Sequence, residues 1–279
     1  MKFSAVQAGA YIHHLNLRSP DPERLAAFYG DAMDMDVERL GDDWLCTGPK
    51  RRMIIGKGEA KELGYGALGC RSRDALVQLR HRVETEGLKV EASPSPLYED
   101  GAFGVRDHEK NLILFGIGHD NEPVNGRRMH APIQHLTFAT KDLDGFEAFY
   151  AGKLGFSVTD RVRTEEGLTT TCFTTSNHEH HTIAAFLSNR QGIDHHSYEA
   201  GEWITIRDWC DRMGQRRIPL MWGPGRHGPG NNLFVFIEDP DGNWIEISAE
   251  LEVIYGRPAK EWPHAPHTLN QWGTAIMRV

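Results

Sequence analysis

Cysteine is scarce: a chain of 279 residues has four, at positions 46, 70, 172 and 210. No two are spaced as C-x-x-C, so neither a zinc knuckle nor a disulfide framework is indicated, and a reducing, cytoplasmic setting is expected. Long apolar runs are missing too. None approaches the ~20 residues needed to span a bilayer, and the opening MKFSAVQAGAYIHH lacks the basic-then-apolar order of a secretion signal. Basic residues are outnumbered, 31 against 39 acidic, for a formal net charge of −8. That balance argues against nucleic acid as a partner, and the lack of a span argues against a membrane. The length leaves room for two domains of ordinary size, each able to bury its own core.

Histidine, by contrast, is plentiful, at 15 residues. The most informative stretch runs over 222–248 and reads WGPGRHGPGNNLFVFIEDPDGNWIEIS. Turn residues crowd its first half. An apolar run from Leu233 to Ile237, a DPDGN turn and a second run from Trp244 to Ile247 then predict a β-hairpin. A period of two puts Ile245 and Ile247 on one face and Trp244, Glu246 and Ser248 on the other. A second string, Asp107 to Phe115 (DHEKNLILF), repeats the pattern with Leu114 in the slot of Glu246. Leu112 and Leu114 make that face apolar in the first copy, so it is expected to be buried in both. A buried carboxylate needs a cation or donors to pair it. Glu246 therefore calls for a metal or an ion-pair partner.

The repeat extends further. Ile133-Gln134-His135-Leu136-Thr137-Phe138 lies over Ile12-His13-His14-Leu15-Asn16-Leu17, Asp142 over Asp21, and Phe149-Tyr150 over Phe28-Tyr29, at a constant offset of 121. That constancy marks an internal duplication. Each unit reads as strand, helix, then two or three strands. Asp21 before Pro22 is a helix start, and Gly87 ends a helix over 73–86. The expected fold is α+β: two halves, each of two βαβββ modules forming a curled mixed sheet. The first half is 1–120, a polar linker occupies 121–130, the second half is 131–250, and a tail over 251–279 packs on the second half.

Three side chains are expected to converge: His135 on the opening strand of the third unit, His196 on that of the fourth, and Glu246 on the closing hairpin. Two histidines and one carboxylate with open positions form the facial triad of non-haem Fe(II) oxygenases. The first half keeps His14 but has Gly66 and Leu114 in the other slots, so it is expected to be structural. His195 alternates to the opposite face from His196 and is expected in packing or beside a ligand.

Over roughly residues 10–250 the chain resembles the type I extradiol ring-cleavage dioxygenases of the vicinal-oxygen-chelate superfamily, similar to biphenyl-diol and homoprotocatechuate dioxygenases. The resemblance rests on QHLTF, on HHS-Y at 195–198, and on GRHGPGNN followed by F-x-x-DPDGNWIEI. It implies an Fe(II) centre, or Mn(II) as in some relatives, at His135, His196 and Glu246. It also implies O2 and an aromatic ortho-diol as partners, and a homo-oligomer. His181 falls where the family places a pocket acid–base histidine, and His227 of GRHG matches a histidine beside the bound reactants. The family's tyrosine ten residues before the glutamate is replaced by Phe236, with Tyr198 and Tyr255 as the hydroxyls that could stand in. Phe186, Trp203, Trp222 and Phe236 are candidate pocket walls. Two rival readings remain open on these residues: a metal-dependent isomerase or lyase of the glyoxalase type, and a non-catalytic resistance protein that binds an aromatic compound.

Overall fold

The structure, a computed structural model, describes residues 2–119 and 128–277. A short helix α1 (Ala5–Ala8) precedes the first module, β1 (Tyr11–Ser19), α2 (Pro22–Ala32), β2 (Asp36–Leu40), β3 (Asp43–Gly48) and β4 (Arg51–Lys57). The second is β5 (Leu63–Gly69), α3 (Arg73–Thr85), β6 (Glu91–Ala92), β7 (Phe103–Arg106) and β8 (Leu112–Gly116). The third opens with β9 (Ile133–Thr140) and α4 (Leu143–Glu147), which continues as a π-helical segment (Ala148–Leu154). It closes with β10 (Ser157–Arg163), β11 (Thr169–Thr175) and β12 (Ile183–Leu187). The fourth is β13 (Gly192–Glu199), α5 (Trp203–Gln215), β14 (Trp222–Arg226), β15 (Leu233–Glu238) and β16 (Trp244–Ala249). Beyond it come β17 (Lys260–Pro263) and α6 (Pro266–Leu269).

The strands form two mixed sheets, ordered β2-β3-β4-β1-β5-β8-β7-β6 and β14-β15-β16-β13-β9-β12-β11-β10-β17, and neither closes into a barrel. The fold is α+β, as the module pattern predicts. In each sheet two modules meet at an antiparallel seam of their opening strands, β1 with β5 and β9 with β13.

The duplicated residues do duplicated work. Asp21 accepts from Arg24 N and Asp142 from Gly145 N, each starting the helix that follows the opening strand of its half. Asp239 holds the DPDGN turn by accepting from the backbone N–H of Asp241 and Asn243 and from the Asn243 side chain. Asp107 holds the first copy in the same way through Glu109 and Asn111. Each turn is also capped from the other half. Tyr29 of α2 donates to Asp239 across 3.1 Å, and Tyr150 of the π-helical segment donates to Asp107 across 3.2 Å. One continuous apolar core runs through both halves, with Leu15, Leu25 and Val83 in the same cluster as Phe138, Trp209 and Ile245.

Of the expected linker, residues 121–127 lie outside the described residues. The following segment is braced by the fully buried Arg51, which donates to the carbonyls of Met129 and Ala131 on one side and of Met33 and Asp34 on the other. The C-terminal segment lies against the second sheet, with β17 added in parallel to the edge strand β10.

Candidate metal centre

Glu246 sits on β16 with its side chain almost wholly buried, and β16 runs beside β13, which runs beside β9. Ser197 of β13 is the register partner of both Glu246 and His135. Side chains two residues apart on a strand share a face, so the face of Glu246 and His135 carries Ser197 and His195. His195 Nε2 lies 3.5 Å from Glu246 Oε2, His135 Nε2 lies 3.0 Å from the same oxygen, and the two imidazole nitrogens are 3.3 Å apart. These three side chains are the group able to hold a metal ion among the described residues.

The expectation that placed His196 in this group is therefore corrected to His195. His196 alternates to the face of Tyr198, inside the core. Tyr29 gives its single proton to Asp239, so His196 must carry a proton on Nε2, which it donates to Tyr29 Oη across 3.0 Å. Burial pushes its pKa down to about 3, with His195 and His135 adding to the effect. It is a neutral structural imidazole. A bulge in β13 between Ile193 and His195 shifts the alternation at this point.

The outer hydrogen bonds define what the site needs. Gln134 donates its amide N–H to the His181 carbonyl, so its Oε1 is the atom facing His135 Nδ1 at 2.5 Å. Asp194 Oδ1 faces His195 Nδ1 at 2.7 Å. Both acceptors require a proton on Nδ1, which leaves both Nε2 lone pairs bare. Two bare nitrogens and a carboxylate oxygen thus converge with no hydrogen between them. Asn232 donates to the other oxygen of Glu246 across 3.0 Å. Burial opposes the charge of Glu246, and with the facing imidazole nitrogens bare a bound cation is what would offset it. His135 is pushed down by burial, against the pull of Glu246. An ionised carboxylate facing two neutral imidazoles fits a non-haem metal cation.

A narrow cavity opens on this group, walled by Thr137, Phe173, His181, Phe186, His227 and Leu269. His181 lies 4.2 Å from His135 between ring centroids. Burial, followed by His135 and His180, holds it well below its ordinary pKa, as a neutral base. His227 stacks on Phe234 at 3.9 Å, and its Nε2 lies 3.6 Å from Glu246 Oε1.

Phe236 is the cross-strand partner of Glu246 and backs His195 at 5.3 Å. Trp222 stacks on Phe236 at 5.3 Å, behind the cavity wall. Three expected pocket residues are elsewhere. Tyr198 faces the core with His196, Tyr255 is 88% exposed, and Trp203 meets Trp272 at the surface. Gln134, Asp194, Asn232 and Leu269 were not anticipated, although Gln134 and Asp194 stand next to the ligating histidines in sequence.

The first half shows the same frame with other residues in the slots. His14 pairs with Ala67, and Ala67 with Leu114, as His135 pairs with Ser197 and Ser197 with Glu246. The slot of His195 is then Tyr65. Tyr65, Tyr98 and Leu114 fill that cup as a small apolar cluster, with His14 bonded to Ser95.

Residues 132–247 match the profile of the glyoxalase/bleomycin resistance protein/dioxygenase superfamily. Among curated relatives, metapyrocatechase 2 of Cupriavidus necator is 24% identical over 246 residues, covering 79% of this chain and 75% of the relative. Metapyrocatechase of Pseudomonas sp. (strain CF600) is 22% identical over 257 residues and covers 84% of each. Among solved structures, homoprotocatechuate 2,3-dioxygenase from Arthrobacter globiformis superposes with a TM-score of 0.83 at 20% identity, over 96% of this chain and 88% of that one. The anaerobic complex of homoprotocatechuate 2,3-dioxygenase from Brevibacterium fuscum with 3,4-dihydroxyphenylacetate gives 0.82 at 21% identity, over 96% and 89%. Those structural likenesses establish the fold.

Proposed function

We propose that the chain, whose residues 132–247 match the profile of the glyoxalase/bleomycin resistance protein/dioxygenase superfamily, is an extradiol dioxygenase, an oxidoreductase that opens the ring of a catechol-like diol with O2. The observation that carries this reading is the convergence of His135, His195 and Glu246 at the floor of a cavity with apolar walls. Relatives named metapyrocatechase, matched along both halves of the chain, support it. The metal is Fe(II), with Mn(II) as the alternative. Held by His135, His195 and Glu246, it would supply the Lewis-acid and redox chemistry that the reaction of a diol with O2 needs.

The chain's own residues do the rest. Gln134 and Asp194 lock the ligating imidazoles with Nε2 inward, and Asn232 fixes the carboxylate. Phe173, Phe186 and Leu269 exclude water and favour a planar apolar ring. His181, buried and neutral at the wall, takes the proton of a diol hydroxyl and returns it to the oxygen that needs it later. His227 stands on the other side of Glu246 and is placed to hydrogen-bond a reactant at the metal. With Phe236 where the family resemblance puts a tyrosine, no hydroxyl stands opposite Glu246, and substrate deprotonation falls to His181.

The test is O2 uptake by protein loaded with Fe(II) under anaerobic conditions, using catechol and 3,4-dihydroxyphenylacetate among the diols. The expected result is one O2 consumed per ring opened, with the visible absorption of a semialdehyde product. Full iron loading with no O2 uptake on any diol would overturn the reading.

A further inference from the structure

Four histidines face the cavity, and each has its Nδ1 tied to a group outside it. For His135 the partner is Gln134 Oε1, for His195 it is Asp194 Oδ1, and for His227 it is the Leu269 carbonyl at 2.5 Å. Those three are oxygens that accept, so each imidazole donates from Nδ1 and presents a bare Nε2 inward. His181 differs. Its partner is another imidazole, His180 Nδ1 at 2.9 Å, which could donate or accept.

The direction is decided one step further out. His180 is fully buried, and its Nε2 lies 3.1 Å from Asp160 Oδ2, an ion-pair contact outside hydrogen-bond geometry in which a bare nitrogen lone pair would face the carboxylate. Asp160 is equally buried and also receives Trp262 Nε1 at 2.7 Å and Arg257 Nη1 at 2.9 Å. Burial opposes its charge, but His180, Trp262 and Arg257 together keep the carboxyl below its usual range. An ionised carboxylate only accepts. His180 therefore carries its proton on Nε2, and its Nδ1 is bare. A bare Nδ1 on His180 forces the proton of His181 onto Nδ1 and leaves His181 Nε2 free for the cavity.

We propose that His180 and Asp160 are positioning residues that set the tautomer of His181, and that Trp262 and Arg257 anchor the pair from the C-terminal segment. Without them, neutral His181 is free to hold its proton on Nε2 and would face the substrate as a donor where the reaction needs an acceptor. The same segment supplies the Leu269 carbonyl to His227, so it orients both histidines that are not metal ligands. This assignment rests on the dioxygenase reading only for its effect on turnover. The tautomer itself does not depend on it.

The experiment has two readouts. Long-range 1H–15N spectra of the full-length chain before metal loading should show His181 protonated on Nδ1 and bare on Nε2. A proton on Nε2 in the unsubstituted chain overturns the proposal. On iron-loaded protein, His180→Leu should lower kcat roughly 10–100-fold, the usual worth of an outer partner, with iron content and KM for the diol little changed. His180→Gln keeps an acceptor for His181 Nδ1–H and a donor for Asp160, so it should restore most of the loss. Equal loss in the two variants would reduce His180 to packing and overturn the proposal. If the unsubstituted chain opens no diol, the dioxygenase reading fails, and the spectra still decide the tautomer.

Discussion

At the scale of single residues, the two adjacent histidines of β13 separate metal binding from packing. His195→Gln should lose most of the bound iron, because it removes one of the three side chains that would hold the metal. His196→Gln should retain iron and instead lose stability of about 1–2 kcal/mol through its bond to Tyr29. Metal analysis and urea unfolding on both variants check this, and iron loss confined to His196→Gln would reverse the assignment. Phe236 offers a second test. It is 1% exposed and enclosed by Trp222, Phe234, Trp244 and His195, with ring centroids between 5.3 and 5.7 Å away. Those four rings fill the space around it, so the added oxygen of Phe236→Tyr is crowded and should cost about 1–3 kcal/mol. A pH–rate profile that instead improves at low pH would show that the new hydroxyl assists deprotonation. At this scale the sequence singled out His135, His196 and Glu246, and the structure gathers His135 and Glu246 with His195 instead. Alternation along a strand is countable only from a known origin, and the bulge in β13 moves that origin.

At the scale of elements, the duplicated turns are the joints between the halves. The helix after β1 caps the turn before β16, and the helix after β9 caps the turn before β8. Tyr29→Phe and Tyr150→Phe should each destabilise by about 1–3 kcal/mol, since each leaves a buried carboxylate one donor short. The cost should be greater for Tyr29, which also serves His196. Urea midpoints at constant slope measure it. Midpoints equal to the parent in both variants would mean that the turns are held by their own Asp–Asn bonds alone. The repeated Asp, Asn and Phe-Tyr positions were readable from the constant offset. Their pairing across the halves was not, because an offset relates equivalent positions and says nothing about which of them touch.

At the scale of the whole molecule, the balance of buried charge sets the response to pH. Burial pushes the Glu199 carboxyl up to about 7 from an ordinary 4.5, against hydrogen bonds from Ser248 and from Gly201 N. Between those two values the folded chain holds a proton that the unfolded chain has released. Stability from this group is therefore greatest at low pH, falls as pH rises through that window, and is level above it. Glu199→Gln cannot lose a proton, so it should match the parent near pH 5 and exceed it by about 2 kcal/mol near pH 8. Thermal unfolding at the two values is the check, and a constant difference between them would show that Glu199 titrates normally.

Local periodicity and the comparison of one copy with the other are enough to yield the α+β modules, their duplication and the burial of Glu246. Leu114 in the slot of Glu246 already sets the two copies apart. Tertiary structure alone decided that His195 is the third ligand candidate, that Tyr198 and Tyr255 lie away from the cavity, and that residues 257–269 orient His181 and His227. The physical reason is the same in each case. A ligand set is defined by atoms within a few ångströms, and those atoms are brought together by register across three strands and by a tail carrying no periodic signal of its own. Gln134, Asp194, Asp160 and the Leu269 carbonyl act through hydrogen-bond direction, a property that exists only once the chain has closed around them.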